Sequence, residues 1–316
     1  MFAFVGFLLV LGLGFDTFYL GGVGGNVPIG SMVALGVGSI SAVTSYFTGD
    51  RAVLLATGAR PIAEAGAAAG DADKLKLHQL ENVVDEMAIA AGLPRPRVYI
   101  VPDPDPNAFA TGRGPEHASI AVTRGLLDTL DREELQGVIA HEMSHIKNLD
   151  VRVMTVVAAL VGAVALLSDW ARRGMRFGGG SGRRSGRRDG GGGGVAGLLF
   201  FIVWIVAIAL APFLAQALAM MVSRRREYLA DASGAELTRN PIGLARALEK
   251  IDAAASPTEA INRGTAHMCI ADPLGRQVNL KGNGFWSNLF ASHPPMAARI
   301  AALKEMAFQP EGSGGR

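Results

Sequence analysis

The sequence is poor in cysteine and in charge. Its 316 residues include one cysteine, Cys269, so the chain can form neither an internal disulfide nor a cysteine-cluster zinc site. Charged residues make up only 18% of the chain and hydrophobic residues 49%, a composition that favours a membrane protein. The formal net charge is +2, which points to no particular acidic or basic partner.

Long apolar runs predict membrane segments. A helix needs about 20 apolar residues to cross the hydrocarbon core. Two runs near the start predict an N-terminal hairpin, and two later runs predict a second hairpin; the four cover 2–20, 27–47, 153–168 and 195–222. A signal peptide is the alternative for the first run, but no Lys or Arg precedes it and no clear cleavage site follows.

Basic residues indicate the orientation of these segments. Arg51 and Arg60 follow the first hairpin, so the positive-inside rule places the next part of the chain in the cytoplasm, on the inner face of the cell membrane. The loop 169–194 opposes this rule, because two crossings would place its seven arginines outside. Either the rule fails here, or 153–168 and 195–222 form a hairpin that does not fully span.

The centre of that loop is a low-complexity segment. Residues 178–194 contain ten glycines, and most of the others are Arg and Ser. Such a segment has no apolar or aromatic framework, so it predicts a disordered linker and no nucleic-acid partner.

The motif with the clearest chemistry is His141-Glu142-Met143-Ser144-His145. On a helix, positions 141 and 145 lie one turn apart on the same face, so both imidazoles can bind one Zn²⁺. Glu142 then lies beside the first ligand, where it can act as the general base toward a zinc-activated water. The alternative is an amphipathic helix that carries two surface histidines.

The surrounding residues favour the metal site. Asp131 can cap a helix and Glu134 can reach back to its amide, so the motif is predicted to be helical. A catalytic zinc usually has three protein ligands, and Glu227 is the predicted third. Asp231 follows four residues later and is predicted to orient an imidazole. The alternative for this pair is a solvated helix face.

The segments around the motif predict a soluble domain in two parts. Residues 71–91 predict an amphipathic helix, with Leu75 among its apolar positions, and 97–101 and 117–123 predict strands. The predicted organisation is a membrane hairpin, a first catalytic part, a second membrane hairpin, a second catalytic part and a tail, at 1–50, 51–152, 153–222, 223–309 and 310–316.

The motifs together resemble the HtpX family of membrane zinc metalloproteases. The motifs occur in the order found in the family. An Asn-Ala-Phe-Ala segment at 107–110 precedes the two metal motifs at 141–145 and 227–231, and a Ser-His-Pro-Pro segment at 292–295 and Arg299 follow them. The resemblance implies an α+β zincin-type domain on the cytoplasmic face, with one Zn²⁺ per chain. It implies that Asn107 and Ala108 lie on an edge strand that pairs with substrate, and that Asp231 orients His141. It also implies cleavage of unfolded, damaged or misassembled membrane proteins as protein quality control.

The expected mechanism leaves one role open. His141, His145 and Glu227 hold zinc, and the base Glu142 takes a proton from water and returns it to the leaving amine. The developing oxyanion needs a further donor, and His293 and Arg299 are the catalytic candidates. His293 could instead cap the last helix, and Arg299 could pair with a structural carboxylate.

Two other functions remain open from the sequence. A prenyl-protein (CAAX) protease has the same motif but is expected to need more membrane helices than the four predicted here. A non-catalytic membrane scaffold could keep the metal site without cleaving anything, although the presence of all three ligands and the base argues against it. In each case the lipid bilayer is an expected partner.

Overall fold

The structure is a computed structural model of the chain. It describes two isolated positions near the start and five segments: 13, 16, 29–67, 70–155, 225–254, 268–271 and 294–308. Internal contacts divide the chain into two units, one formed by Met1–Phe47 and Leu160–Gln216, the other by Thr48–Ala159 and Ala217–Arg316. The motifs singled out above belong to the second unit.

The first long helix, α1, covers Ile29–Ala56. It continues past the predicted end of the second apolar run at Phe47 and includes Asp50 and Arg51. Among the residues that the structure describes, no helix combines the length and the apolar character that a membrane crossing requires. The other three predicted crossings lie wholly or almost wholly outside the described residues.

The described part of the second unit contains a four-stranded mixed sheet. Its strands lie in the order β1-β2-β4-β3, with β2 and β4 parallel and both outer pairs antiparallel. The strands are β1 Arg60–Pro61, β2 Arg97–Val101, β3 Ala108–Gly112 and β4 Ala118–Thr123. Ala110 of β3 pairs with Ile120 of β4, and both residues are buried, so pairing with β4 fixes the position of β3.

Helices cover the sheet and surround the motif. In chain order they are α2 Ile62–Ala67, α3 Asp71–Ala91, α4 Arg124–Thr129, α5 Arg132–Lys147, α6 (150–155 as described), α7 (225–238 as described), α8 Pro241–Ala253 and α9 Met296–Phe308. Helices and mixed sheet together give the predicted α+β class. A short 3₁₀ turn, Pro115–His117, precedes β4.

The predicted helix 71–91 is confirmed, with one side chain assigned to the wrong face. α3 ends at Gly92, whose φ of 66° is in the left-handed region that glycine adopts without strain. Leu75 was expected on the buried face but is 71% exposed, and Leu77 is buried in its place. The apolar face turns with the 3.6-residue period from Leu77 to Leu80 and Val84.

The core lies between the sheet and helices α3, α5 and α8. Ile120 and Val122 of β4 pack in one cluster with Val138 and Ile139 of α5 and with apolar residues of α8. α5 and α8 pack closely because Gly137 has no side chain. A Cβ added there would lie only 2.8 Å from the backbone nitrogen of Leu244. The motif helix is therefore fixed on both sides.

Candidate metal centre

The motif helix begins with the capping box that the sequence predicts. The Asp131 carboxylate accepts from the Glu134 amide at 3.0 Å, and the Glu134 carboxylate accepts from the Asp131 amide at 2.9 Å. The Lys250 ammonium of α8 donates to the same Glu134 carboxylate at 2.6 Å. Because its first turn is satisfied and clamped to α8, α5 presents its next turns in a defined register.

The two histidines converge on a single point. Both are buried, and their Nε2 atoms are 3.2 Å apart with the rings nearly perpendicular at 88°. Two nitrogen ligands of a tetrahedral zinc, each about 2.0–2.1 Å from the ion, would be separated by about 3.3 Å. The imidazole pair therefore fits one small metal ion between its Nε2 atoms.

The carboxylate of Glu227 completes the group. One of its oxygens is 3.7 Å from His141 Nε2 and the other is 3.6 Å from His145 Nε2. One ligand atom from each residue lies within 4.8 Å of the other two. Two nitrogens and one oxygen on one side of a point, all buried, form a donor set that suits a divalent transition metal.

Close helix packing brings Glu227 to this point. A Cβ added at Gly234 would lie 3.0 Å from the His141 backbone nitrogen, so α7 approaches α5 closely enough that even a methyl group would be tight. Asp231 is one turn after Glu227 on the same face of α7, and its carboxylate is 3.0 Å from His141 Nδ1. The structure thus brings together all four residues that the sequence singled out for the metal and its support.

His145 has a carboxylate partner that the sequence analysis missed. Its Nδ1 is 3.1 Å from Asp150, which lies just beyond the end of α5. Both imidazoles therefore direct Nδ1 to a carboxylate, an arrangement that keeps the proton on Nδ1 and leaves the Nε2 lone pair for a metal. The available signal was an acid five residues after the second histidine, but only the turn at 148–149 brings it back to the ring.

Arg299 occupies a different place from the expected oxyanion donor. It is fully buried, and its guanidinium donates to both Asp231 oxygens at 2.8 and 2.7 Å and to the Ile270 carbonyl at 2.7 Å. Its Nη1 is also 3.3 Å from Glu227. Its donors are therefore directed at the Asp231 and Glu227 carboxylates and at a backbone carbonyl, so the structure shows it paired with buried carboxylates.

Glu142 is the buried acid next to the first ligand. Burial raises the pKa of its carboxyl to about 7, against the opposing effect of His145 and with a further increase from Glu227. Within the described residues neither carboxylate oxygen has a hydrogen-bond partner of good geometry, although the Ala110 backbone amide is close enough to lower the pKa. A buried carboxylate without a firm partner is available to accept a proton.

Burial and nearby charges shift the pKa values of the two histidines in opposite directions. Burial lowers the pKa of His141, and the Asp231 carboxylate only partly offsets this. Burial also disfavours the charged form of His145, but the Asp150 hydrogen bond and the Glu227 charge outweigh it and raise the pKa. The pKa of Asp231 falls to about 2, because Arg299 overcomes the effect of burial.

The predicted substrate edge is partly covered. The Ala108 carbonyl accepts from the Ile270 amide at 2.9 Å, and the Asn107 side chain donates to the Ala271 carbonyl at 3.0 Å. Both residues are fully buried, so neither offers a free edge group there. Ala110, two positions along β3, is the strand residue whose backbone faces Glu142.

Of the remaining histidines, the two that the structure describes do not join this centre. His78 and His117 are exposed at the surface. His293 and His267 lie outside the described residues, so the predicted role of His293 stays a prediction.

Comparison with known proteins agrees with this geometry. The sequence profile of Peptidase family M48 matches residues 74–307. A Protease HtpX homolog of Caldanaerobacter subterraneus is 42% identical over 262 residues, covering 83% of this chain and 80% of the relative. Another, from Listeria monocytogenes serovar 1/2a, is 52% identical over 229 residues, covering 72% and 73%.

A solved structure resembles the chain only weakly. The crystal structure of S. mikatae Ste24p superposes with a TM-score of 0.47 at 18% identity, over 96% of this chain and 63% of that chain. A likeness at this level carries no weight for fold or function.

Two histidines one turn apart, a carboxylate from a later helix and an adjacent buried glutamate are the residue set typical of a metallopeptidase site. The chain belongs to Peptidase family M48. Its relatives are HtpX proteases, so the predicted resemblance is confirmed and the chain is a metalloprotease.

Proposed function

We propose that the chain binds one Zn²⁺ through His141, His145 and Glu227 and uses it for endoproteolysis. The observation that carries this proposal is the convergence of these three buried side chains on one point, with both Nδ1 atoms on carboxylates. Two imidazoles and one carboxylate are a usual ligand set of catalytic zinc, and they leave a fourth position open.

Glu142 is the general base of the proposed reaction. A bound Zn²⁺ supplies Lewis acidity, which polarises a peptide carbonyl and makes a water molecule at the site more acidic. Glu142 takes the proton of the attacking water as the water oxygen bonds to the carbonyl carbon. The carbon–nitrogen bond then breaks, and Glu142 passes the proton to the leaving amine. Burial raises its pKa to about 7 in the metal-free chain, which brings the carboxyl closer to the neutral pH at which it must both accept and return a proton.

We propose that the substrate is an extended segment of an unfolded or misassembled protein. The backbone of Ala110 faces Glu142 from β3, so a peptide aligned along this part of the strand would place its scissile bond beside the base. Recognition through main-chain groups is tolerant of side-chain sequence. The names of the relatives, Protease HtpX homolog, are consistent with a protease but name no substrate.

We also propose a multi-pass arrangement in the cell membrane. Its support is the set of four apolar runs and the position of Arg51 and Arg60 after the first hairpin. The catalytic unit then faces the cytoplasm, where unfolded segments of membrane proteins are accessible.

The test is cleavage of casein, an unfolded protein, by the full chain purified in detergent. Wild type and Glu142→Ala are compared before chelation, after chelation and after return of zinc. Glu133→Ala is the matched control, because it removes an exposed glutamate from the same helix. We expect zinc-dependent cleavage by wild type and by the control only.

Each other outcome has a definite meaning. Cleavage by Glu142→Ala at the wild-type rate would contradict the assigned base. Binding of one zinc per chain without cleavage of any unfolded substrate would favour the scaffold. Cleavage restricted to prenylated peptides would favour the CAAX-type alternative.

A further inference from the structure

We propose that Asp150 and Arg226 are positioning residues of the metal centre and act on it through His145. The proposal rests on the proposed metal binding. It assigns the two residues the task of holding His145 in the orientation in which its Nε2 meets the other ligands. Asp150 and Arg226 belong neither to the motif at 141–145 nor to the pair Glu227 and Asp231, so the sequence motifs do not predict this role.

The contacts form a continuous chain from the ring to the arginine. One Asp150 oxygen is 3.1 Å from His145 Nδ1, and the other accepts from Arg226 Nη1 at 3.0 Å. The Asp150 side chain is only 7% exposed. A buried carboxylate that is fixed by an arginine on one oxygen has little freedom to turn away from the imidazole on the other.

The backbone is bent to make this contact possible. After α5 the chain turns through Leu149, whose φ is 61°. A leucine in the left-handed region is strained by about 1–2 kcal/mol, and such strain persists only where the surrounding structure enforces it. The turn allows the carboxylate of Asp150, which starts the helical residues 150–155, to reach the imidazole of His145, five residues earlier.

A related arrangement occurs on the other histidine, although Asp231 lies 3.0 Å from His141 Nδ1 without hydrogen-bond geometry and Arg299 bonds both oxygens of its carboxylate. His141 is backed by Asp231, and Asp231 is backed by Arg299. His145 is backed by Asp150 and Arg226 in the same order, so each imidazole has a carboxylate and each carboxylate has an arginine. This correspondence argues that the pair Asp150–Arg226 serves the ligand and is more than a surface ion pair.

The pair also joins distant parts of the chain. Asp150 and Arg226 are 76 residues apart, and Arg226 immediately precedes the ligand Glu227. Their contact therefore ties a residue just beyond the end of α5, the helix that carries His145, to the residue next to Glu227 on α7. The second predicted membrane hairpin lies between them in sequence, so this contact joins two parts of the catalytic unit that the hairpin separates along the chain.

The test measures zinc affinity of the full chain in detergent, by competition with a chromogenic chelator. We expect Asp150→Ala to weaken zinc binding about 10- to 100-fold, the range found when such supporting carboxylates are removed. Asp150→Asn keeps one oxygen acceptor for His145 Nδ1 but cannot accept from Arg226 with its amide nitrogen, so it should restore only part of the affinity. Arg226→Ala should weaken binding less than Asp150→Ala does, and Arg225→Ala, which removes an exposed neighbouring arginine, should leave it unchanged.

A double variant distinguishes the proposed route from an independent effect. If Arg226 acts through Asp150, Asp150→Ala/Arg226→Ala binds zinc no more weakly than Asp150→Ala alone. The absorption spectrum of the Co²⁺ form should change in Asp150→Ala and be partly recovered in Asp150→Asn, because it reports ligand geometry. If Asp150→Ala fails to fold, the comparison of Arg226→Ala with Arg225→Ala decides the question.

Two results would overturn the proposal. Wild-type zinc affinity in Asp150→Ala and Arg226→Ala, with only a lower melting temperature, would show a purely structural ion pair. Additive losses in the double variant would show that Arg226 acts by another route. Failure of the wild type itself to bind zinc would instead refute the proposed metal function, so the two failures are distinguishable.

Discussion

Breaking the buried pair between Asp231 and Arg299 should destabilise the protein strongly, even without metal. Arg299 is fully buried and bonds both carboxylate oxygens of Asp231, at 2.8 and 2.7 Å. Arg299→Met would leave two buried carboxylates, Asp231 and Glu227, without their cation. Asp231→Leu would leave the guanidinium without its main partner.

The expected size follows from two independent estimates. Removing one partner of a buried ion pair costs about 3–5 kcal/mol of unfolding free energy, because an uncompensated charge remains. The pKa of Asp231 lies at about 2 against an ordinary 3.8, which corresponds to about 2 kcal/mol of stability from its ionised form. That contribution is complete above pH about 4 and is lost as pH falls toward 2, since a lowered acid pKa favours the folded state only when the group is ionised.

The measurement is urea unfolding of metal-free protein in detergent at pH 7, for both single variants and for Asp231→Leu/Arg299→Met. Each single variant should lose about 3–5 kcal/mol, and the double variant should lose clearly less than the sum, because it removes both charges. Recovery will be partial, since Arg299 also lies 3.3 Å from Glu227. Additive losses would refute the reasoning, because the two residues would then contribute independently.

Three further predictions concern the metal and the base. Glu142→Gln should retain zinc, measured by metal analysis, and lose about 10²- to 10⁴-fold in kcat/KM, whereas His145→Ala should lose both; equal zinc loss in the two variants would contradict the assignment. Glu142 must be ionised to accept a proton, so kcat/KM of wild type should fall toward acid pH. The midpoint should lie at or below about 7, because burial raises the pKa of Glu142 to about 7 and a bound cation lowers it again. If Glu142→Gln shows the same fall of kcat/KM at acid pH, another group is responsible for it. Gly234→Ala would place a Cβ 3.0 Å from the His141 backbone nitrogen, so it should lower the free energy of unfolding by about 1–3 kcal/mol and weaken zinc binding. The control Ala232→Ser, on the same helix, should change neither.

The parts of the fold that depend on near neighbours could be predicted from the sequence. The capping box of Asp131 and Glu134 involves residues three apart, and the cap of α8 at Asn240 likewise accepts from Gly243. The helix that carries the histidines follows from this cap and its apolar period. Spacing within one helical turn also placed the two histidines on one face.

The predicted edge strand shows why other features could not be read in this way. Asn107 and Ala108 belong to the predicted segment, but their outward groups bond to residues 164 or so positions later in the chain, at Ile270 and Ala271. No local pattern reports that a distant segment will cover a strand edge. The residue of β3 whose backbone faces Glu142 is Ala110, which belongs to the same predicted segment but was given no role from the sequence.

By itself the sequence determined the chemistry of this protein: two imidazoles one turn apart, an adjacent acid and a later carboxylate, which together indicate a zinc peptidase. Only the tertiary structure decided what supports that chemistry. Asp150 contacts His145 because the chain turns at Leu149. Arg299 bonds Asp231, although the two residues are 68 positions apart in the sequence. Ligand type and helical spacing are local properties, whereas the orientation of each ligand depends on buried charges that only the packed chain brings together.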